Sequence, residues 1–96
     1  MRVALRFTYS ADIAEIPDFI WNDMKNHVNK FDEWLYNESN DHPYWVYKKN
    51  KKVAVSFDAD AFINWLNEFV LTDCDKAFIV ERDKTDYDEK MPTLYF

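Results

Sequence analysis

A chain of 96 residues with 48% hydrophobic and 19% aromatic content makes one folded domain, residues 1–96, and excludes a disordered chain. Its formal charge of −6 argues against non-specific binding to nucleic acid or anionic membrane, and no apolar run approaches the ~20 residues of a membrane span. Gly is absent, which excludes phosphate-cradling loops and dinucleotide-binding folds, because both need backbone without a Cβ.

Arg2 to Tyr9 alternates. Val3, Leu5, Phe7 and Tyr9 share one face, and Arg2, Ala4, Arg6 and Thr8 the other, which predicts a strand with one buried face. Ser10 to Ile16 reads as a connection. Asp12-x-x-Glu15 has the form of a helix start, but Pro17 competes, since Pro suits a first helical turn and damages an interior. The main helix is placed from about Pro17 to Tyr36–Ser39. Ile16, Ile20, Met24, His27, Val28, Phe31, Trp34 and Leu35 fall on its apolar side, with Asp18, Asp32 and Glu33 opposite. Asn37 to His42 is a polar loop.

Pro43 to Phe57 predicts a hairpin with its turn in Lys48-Lys49-Asn50-Lys51-Lys52, because Asn tolerates the left-handed backbone of tight turns. A two-residue loop at 49–50 pairs Val46 with Val53, and one at 50–51 pairs Val46 with Val55. Both put Tyr44, Val46, Val53, Val55 and Phe57 on a core face, and Trp45, Tyr47, Lys52, Ala54 and Ser56 on the other. A three-residue loop would exchange the faces of the first strand. Asp58 or Asp60 caps the next helix, whose stripe is Ala59, Phe62, Ile63, Leu66, Phe69 and Val70, ending at Thr72–Asp75. Lys76 to Arg82 is a fourth strand with Phe78 and Val80 favoured for the core over Ala77 and Ile79. Asp83 to Lys90 is a charged connection. Met91 to Phe96 is either a short fifth strand or a tail that pairs with a partner.

This order predicts an α+β fold, a ferredoxin-like β-α-β-β-α-β sandwich with two helices on one face of a four-stranded antiparallel sheet, strands ordered 4-1-3-2. Its uncovered sheet face would carry Arg2, Ala4, Arg6, Trp45, Tyr47, Lys52, Ala54 and Ile79. Three uses compete for that face. Trp45, Ala54, Ala4 and Ile79 form an apolar band suited to a homodimer. The aromatic and basic residues suit nucleic acid, although the central strands carry no outward aromatic. The third is burial of Trp45 and Tyr47 under the C-terminal segment.

Catalytic and metal signals are sparse. His27 reads as a core histidine rather than a buried base, and His42 as a loop residue rather than a metal corner with Asp41. Asp86-x-Asp88-Glu89 lacks the Gly of a calcium loop. Cys74 has no partner for a disulfide or zinc site. Ser10, Ser39 and Ser56 sit in no nucleophile elbow. Small CRISPR-associated nucleases of ferredoxin-like fold end their first strand on an acid, where this chain reads Thr8-Tyr9-Ser10. No cofactor, metal or catalytic set is expected, and a small dimeric α+β-barrel-type enzyme is a lesser alternative.

Acidic residues gather on the helices and loops, and basic ones in the strands and the hairpin turn. An acidic face imitates the phosphate charge that a nucleic-acid-handling protein recognises. In composition the chain resembles phage-encoded inhibitors, including anti-CRISPR and anti-restriction proteins. The expectation is a non-enzymatic acidic protein, homodimeric and cytoplasmic, that binds a host defence protein through Asp18, Asp32, Glu33, Glu38, Asp41, Asp86, Asp88 and Glu89. A nucleic-acid-binding module using the open sheet face is the alternative.

Overall fold

β1 (Arg2–Arg6) and β2 (Ala11–Glu15) form an antiparallel pair, in register from Arg2↔Glu15 to Arg6↔Ala11. The computed structural model describes every residue but Thr8 and Glu89; Thr8, expected on the open face, and Glu89, expected in the acidic surface, lie outside the described residues. The expected connection at 10–16 is thus largely a strand. Ala11 and Ile13 are buried on one side of the sheet, Ala14 and Ile16 on the other. Adjacent Ile13 and Ala14, buried on opposite faces, break the polar–apolar alternation that Arg2 and Arg6 preserve in β1.

The predicted long helix is two: α1 (Asp18–Asn22) and α2 (Met24–Leu35), parted at Asp23, whose backbone leaves the helical region at φ −128° and ψ 30°. Ile20, Met24, Phe31 and Leu35 are buried, as their spacing requires. β3 (Trp45–Lys48) and β4 (Lys51–Val55) form the expected hairpin. α3 (Ala59–Phe69) follows directly, with the Asp58 carboxylate accepting the Ala61 N–H at 3.0 Å. β5 (Phe78–Lys84) and β6 (Thr93–Tyr95) complete the chain.

The main sheet has the order β5-β2-β1-β6, and the hairpin is a separate two-stranded sheet. The class is α+β, with a four-stranded sheet and three helices, but the ferredoxin-like order is not adopted. β2 pairs antiparallel with β1 and β5, and β6 pairs parallel with β1. Both edges of β1 are therefore taken, and β4 has no central position to occupy. The C-terminal segment does supply a strand, as part of the main sheet.

One side of the sheet carries the main core. Val3, Leu5, Ala14 and Ile16 meet Ile20, Phe31, Leu35, Phe62 and Leu66. Phe31 lies edge-on to Phe57 and Phe62, with centroids 5.5 and 5.3 Å away, an arrangement suited to the ring quadrupoles. The other side holds a small cluster, Ala4, Ala11 and Ile13, covered by Val80, Tyr87 and Met91. Ala4, expected on an open face, is instead fully buried. β5 also reverses the expected parity. Ala77 and Ile79 pack on the main core while Phe78 is 53% exposed. Asn67 of α3 fixes this by clasping the Ala77 backbone, donating to its carbonyl at 2.8 Å and accepting its N–H at 2.7 Å.

Candidate functional site

The hairpin turns through Lys49 and Asn50, both with positive φ (52° and 63°), as a two-residue loop demands. Lys48 pairs with Lys51 and Tyr47 with Lys52. The register then slips, so that Val46 faces Ala54 and Trp45 faces Val55. Val53 is the extra residue. One inserted residue exchanges inward and outward positions beyond it. Val46 and Val53, expected in the core, are 42% and 56% exposed, and Trp45 turns toward the body of the protein.

What covers Trp45 is His42. Their rings stack at 5.0 Å with 6° between planes. The Trp45 Nε1–H donates to the Asn40 carbonyl at 2.6 Å, and Lys52 Nζ lies 5.2 Å from the ring centroid. Lys52 also donates to the Glu38 carbonyl at 2.6 Å and to Asp41 Oδ1 at 2.7 Å. The hairpin is thereby tied to the loop before it. The same ammonium holds the Asp41 carboxyl below the usual carboxylate range.

His42 is the buried hinge of this arrangement. Its Nε2–H donates to the Leu35 carbonyl at 2.7 Å, and its Nδ1 accepts the Tyr44 N–H at 3.2 Å. These partners assign the Nε2–H tautomer and use both nitrogens. No lone pair is left for a metal, so an Asp41–His42 corner does not form. Among the described residues no group of three His, Cys, Asp or Glu is placed to hold a metal ion. His27 is half-buried on α2, its Nδ1 is buried without a hydrogen-bond partner, and it lines neither cleft described below. Cys74 is free and exposed.

Beside His42 lies a cleft of about 620 Å³ between the end of α2, the 39–44 loop and α3. Trp34, Tyr44 and Trp65 give it aromatic walls, and Asp41 and Glu68 supply carboxylates. No Lys or Arg lines it. Trp34 packs against the His42 ring at 4.7 Å, and Trp65 against Phe31 at 5.6 Å, so two aromatic walls are anchored in packed structure. The sequence reading omits Trp65 and places Glu68 only among the acids that flank the second predicted helix. Trp65 follows Phe62 by three positions and flanks the apolar stripe, whereas nothing in the pattern separates Glu68 from the other acids of that helix.

The expected acidic set divides. Asp32 and Glu33 end α2, and Glu38 and Asp41 continue into the loop around Lys52. Asp18 sits 3.5 Å from the N-terminal ammonium. Asp86 and Asp88 belong to the segment that covers the opposite side of the sheet. There Asp86 lines a second cleft of about 430 Å³ with Arg6, Tyr87 and Tyr95. Arg6 Nη1 donates to Tyr87 Oη at 3.1 Å.

The expected sheet-face band is not assembled. Ala4 lies under Tyr87 and Met91, and Ile79 faces the main core. Arg2 meets Glu15 at 3.6 Å. Trp45, Tyr47, Lys52 and Ala54 belong to the separate hairpin, with Tyr47 and Ala54 exposed. The band was the basis for expecting a homodimer and a flat nucleic-acid platform, and neither retains that surface.

These features define a small α+β protein with an aromatic, acidic cleft beside a projecting hairpin. In comparisons with known proteins, no family model, no curated protein and no solved structure matches the chain. No helix among the described residues is long and apolar enough to cross a membrane.

Proposed function

We propose that the protein is a non-enzymatic interaction protein that binds a basic surface of a host nucleic-acid-handling protein, as an inhibitor of the kind a phage or mobile element encodes. The supporting observation is a set of carboxylates left without a cation. Asp32, Glu33, Glu38 and Glu68 form no ion pair among the described residues. Arg2, Lys52, Lys76, Arg82 and Lys84 are each engaged by an acid. Lys25 and Lys30 of α2 pair with none of the four. Charge that is not neutralised internally projects a field outward and steers a partner of opposite sign. Asp32 adds to this. Burial pushes its carboxyl above the usual range, so its charge is held at a cost that an incoming cation would relieve.

The test measures binding to purified CRISPR effector and restriction complexes across a salt series, for the wild type and for Asp32→Lys/Glu33→Lys/Glu38→Lys. Binding that weakens with salt, and by about tenfold or more in the triple variant, is expected. Affinity unchanged by the charge reversal overturns the proposal.

A second reading has one observation in its favour. Lys48, Lys49 and Lys51 at the hairpin tip form no ion pair among the described residues, and they flank exposed Tyr47. Such a tip suits nucleic-acid phosphates. A gel shift with single-stranded DNA or RNA at low salt, lost in Lys48→Glu/Lys49→Glu/Lys51→Glu, would favour this reading over the first; no shift would dismiss it.

A further inference from the structure

We infer that the cleft between α2, the 39–44 loop and α3 receives the guanidinium of a partner's arginine side chain. The inference rests on the acidic-face reading above and gives that face a specific recognition point.

The walls define the charge of the occupant. Half-buried Trp34 and Tyr44 line it with ring surface that favours a cation, Trp65 closes it with the 5% of its surface left exposed, and Asp41 and Glu68 are carboxylates. No Lys or Arg is among the lining residues, and the one cation at the wall, Lys52, is taken up by Asp41, so the charge left uncompensated is that of Glu68. The two carboxylates differ in their commitments. Asp41 is already held by Lys52 at 2.7 Å and serves as a fixed wall. Glu68 is exposed and has no cation among the described residues, so it is free to take one.

Shape separates guanidinium from ammonium. A guanidinium is planar, stacks on aromatic faces and meets a carboxylate through two parallel N–H donors, whereas an ammonium is a compact, strongly hydrated point charge. A cleft combining flat rings with a carboxylate rewards the former. Asn64 at its edge adds a further hydrogen-bonding group. The volume of about 620 Å³ exceeds what one side chain fills, leaving room for the neighbouring peptide backbone. The site is also held in place before binding. The bonds from His42 to Leu35 and Tyr44 fix the loop wall, and the ring packing fixes Trp34 and Trp65. Walls already ordered lower the entropic cost of capture.

The experiment titrates the full chain with acetyl-arginine amide and with the citrulline analogue, which has the same shape without the charge. It follows the indole N–H and Asn64 side-chain signals by ¹H–¹⁵N NMR. Saturable shifts confined to the cleft are expected with the arginine compound. Citrulline, and arginine with Glu68→Gln, should each bind about tenfold more weakly. Equal binding of citrulline, shifts outside the cleft, or full affinity in Glu68→Gln overturns the inference. An unchanged urea midpoint establishes that Glu68→Gln is folded. A hexa-arginine peptide separates this inference from the broader reading. If its binding survives Glu68→Gln but is lost in the Asp32/Glu33/Glu38 reversal, the acidic face stands and the cleft assignment falls. If it is lost in Glu68→Gln, the cleft assignment is supported. If it survives the reversal, the acidic-face reading fails, and the single-arginine titration still decides the cleft.

Discussion

Replacing His42 by Ala should destabilise the protein by about 3 kcal/mol, more than a loop residue ordinarily would. The substitution removes the donor to the Leu35 carbonyl at 2.7 Å and the acceptor for the Tyr44 N–H at 3.2 Å. A buried backbone group left without a partner costs ~1–3 kcal/mol. In the Ala variant the space of the ring opens onto the neighbouring cleft that His42 lines, so water can enter and each loss should fall near the lower end, about 1 kcal/mol. Loss of the stack on Trp45 at 5.0 Å and of the contact with Trp34 at 4.7 Å adds ~0.5–1.5 kcal/mol. Urea denaturation followed by tryptophan fluorescence reads the sum. For a domain of this size, 3 kcal/mol corresponds to roughly 12–24 °C in melting temperature. Two further variants divide the loss. Asn places its carbonyl near the position of Nδ1 and should retain the Tyr44 bond, whereas Gln places its amide near Nε2 and should retain the Leu35 bond. Both should fall between wild type and Ala. A loss below about 0.5 kcal/mol for Ala would refute the hinge role, because that is the ordinary effect of a surface substitution.

Two carboxylates should move the pH dependence of stability in opposite directions. The Asp60 carboxyl is held below the usual range by Arg82, whose Nη1 and Nη2 reach its two oxygens at 2.5 and 2.9 Å. Its stabilisation is present above the unfolded carboxyl value of ~3.9 and is lost as pH falls through the lower folded value. Asp60→Asn should flatten the acid limb of a urea-midpoint series. It should cost under ~1 kcal/mol at neutral pH, since both side chains are more than a third exposed; an unaltered acid limb contradicts the assignment. Burial raises the Asp32 carboxyl, so that its cost appears as pH rises through its folded value. Asp32→Asn should be a few tenths of a kcal/mol more stable than wild type at neutral pH, with the difference vanishing in acid. A variant that is less stable at neutral pH would show that Asp32 has a cationic partner.

Local signals in the chain are legible where polar or turn-forming residues mark an element. β1 alternates in sequence because Arg2 and Arg6 share a side with Ala4, even though Ala4 is as buried as Val3 and Leu5. The Asp58 cap and the Phe62–Leu66 stripe located α3, and the Lys49-Asn50 turn located the hairpin. The losses came where the environment is set by distant segments. β2 is buried on both sides, and its apolar residues show neither a strand nor a helix period. The bulge at Val53 reversed the hairpin faces without any Gly to mark it. β6 pairs with β1 across nearly the whole chain, a partnership that local pattern does not encode. The cleft escaped for the same reason. Trp34, His42 and Trp65 come from α2, the loop and α3, and each alone reads as core or loop. The acidic character was legible, but the division of the acids between two sides of the sheet was not.

The parallel pairing of β1 with β6 has a mechanical consequence. Residues at the two ends of the chain lie on adjacent strands that run the same way, held by bonds such as Ala4 N–H to the Pro92 carbonyl at 2.8 Å and Phe96 N–H to the Arg6 carbonyl at 2.9 Å. The Phe96 ring stacks on Phe7 at 4.6 Å beside that ladder. Tension applied between residues 1 and 96 runs along the strands and across these bonds. It loads them together in shear, where an antiparallel end pair would peel open one bond at a time.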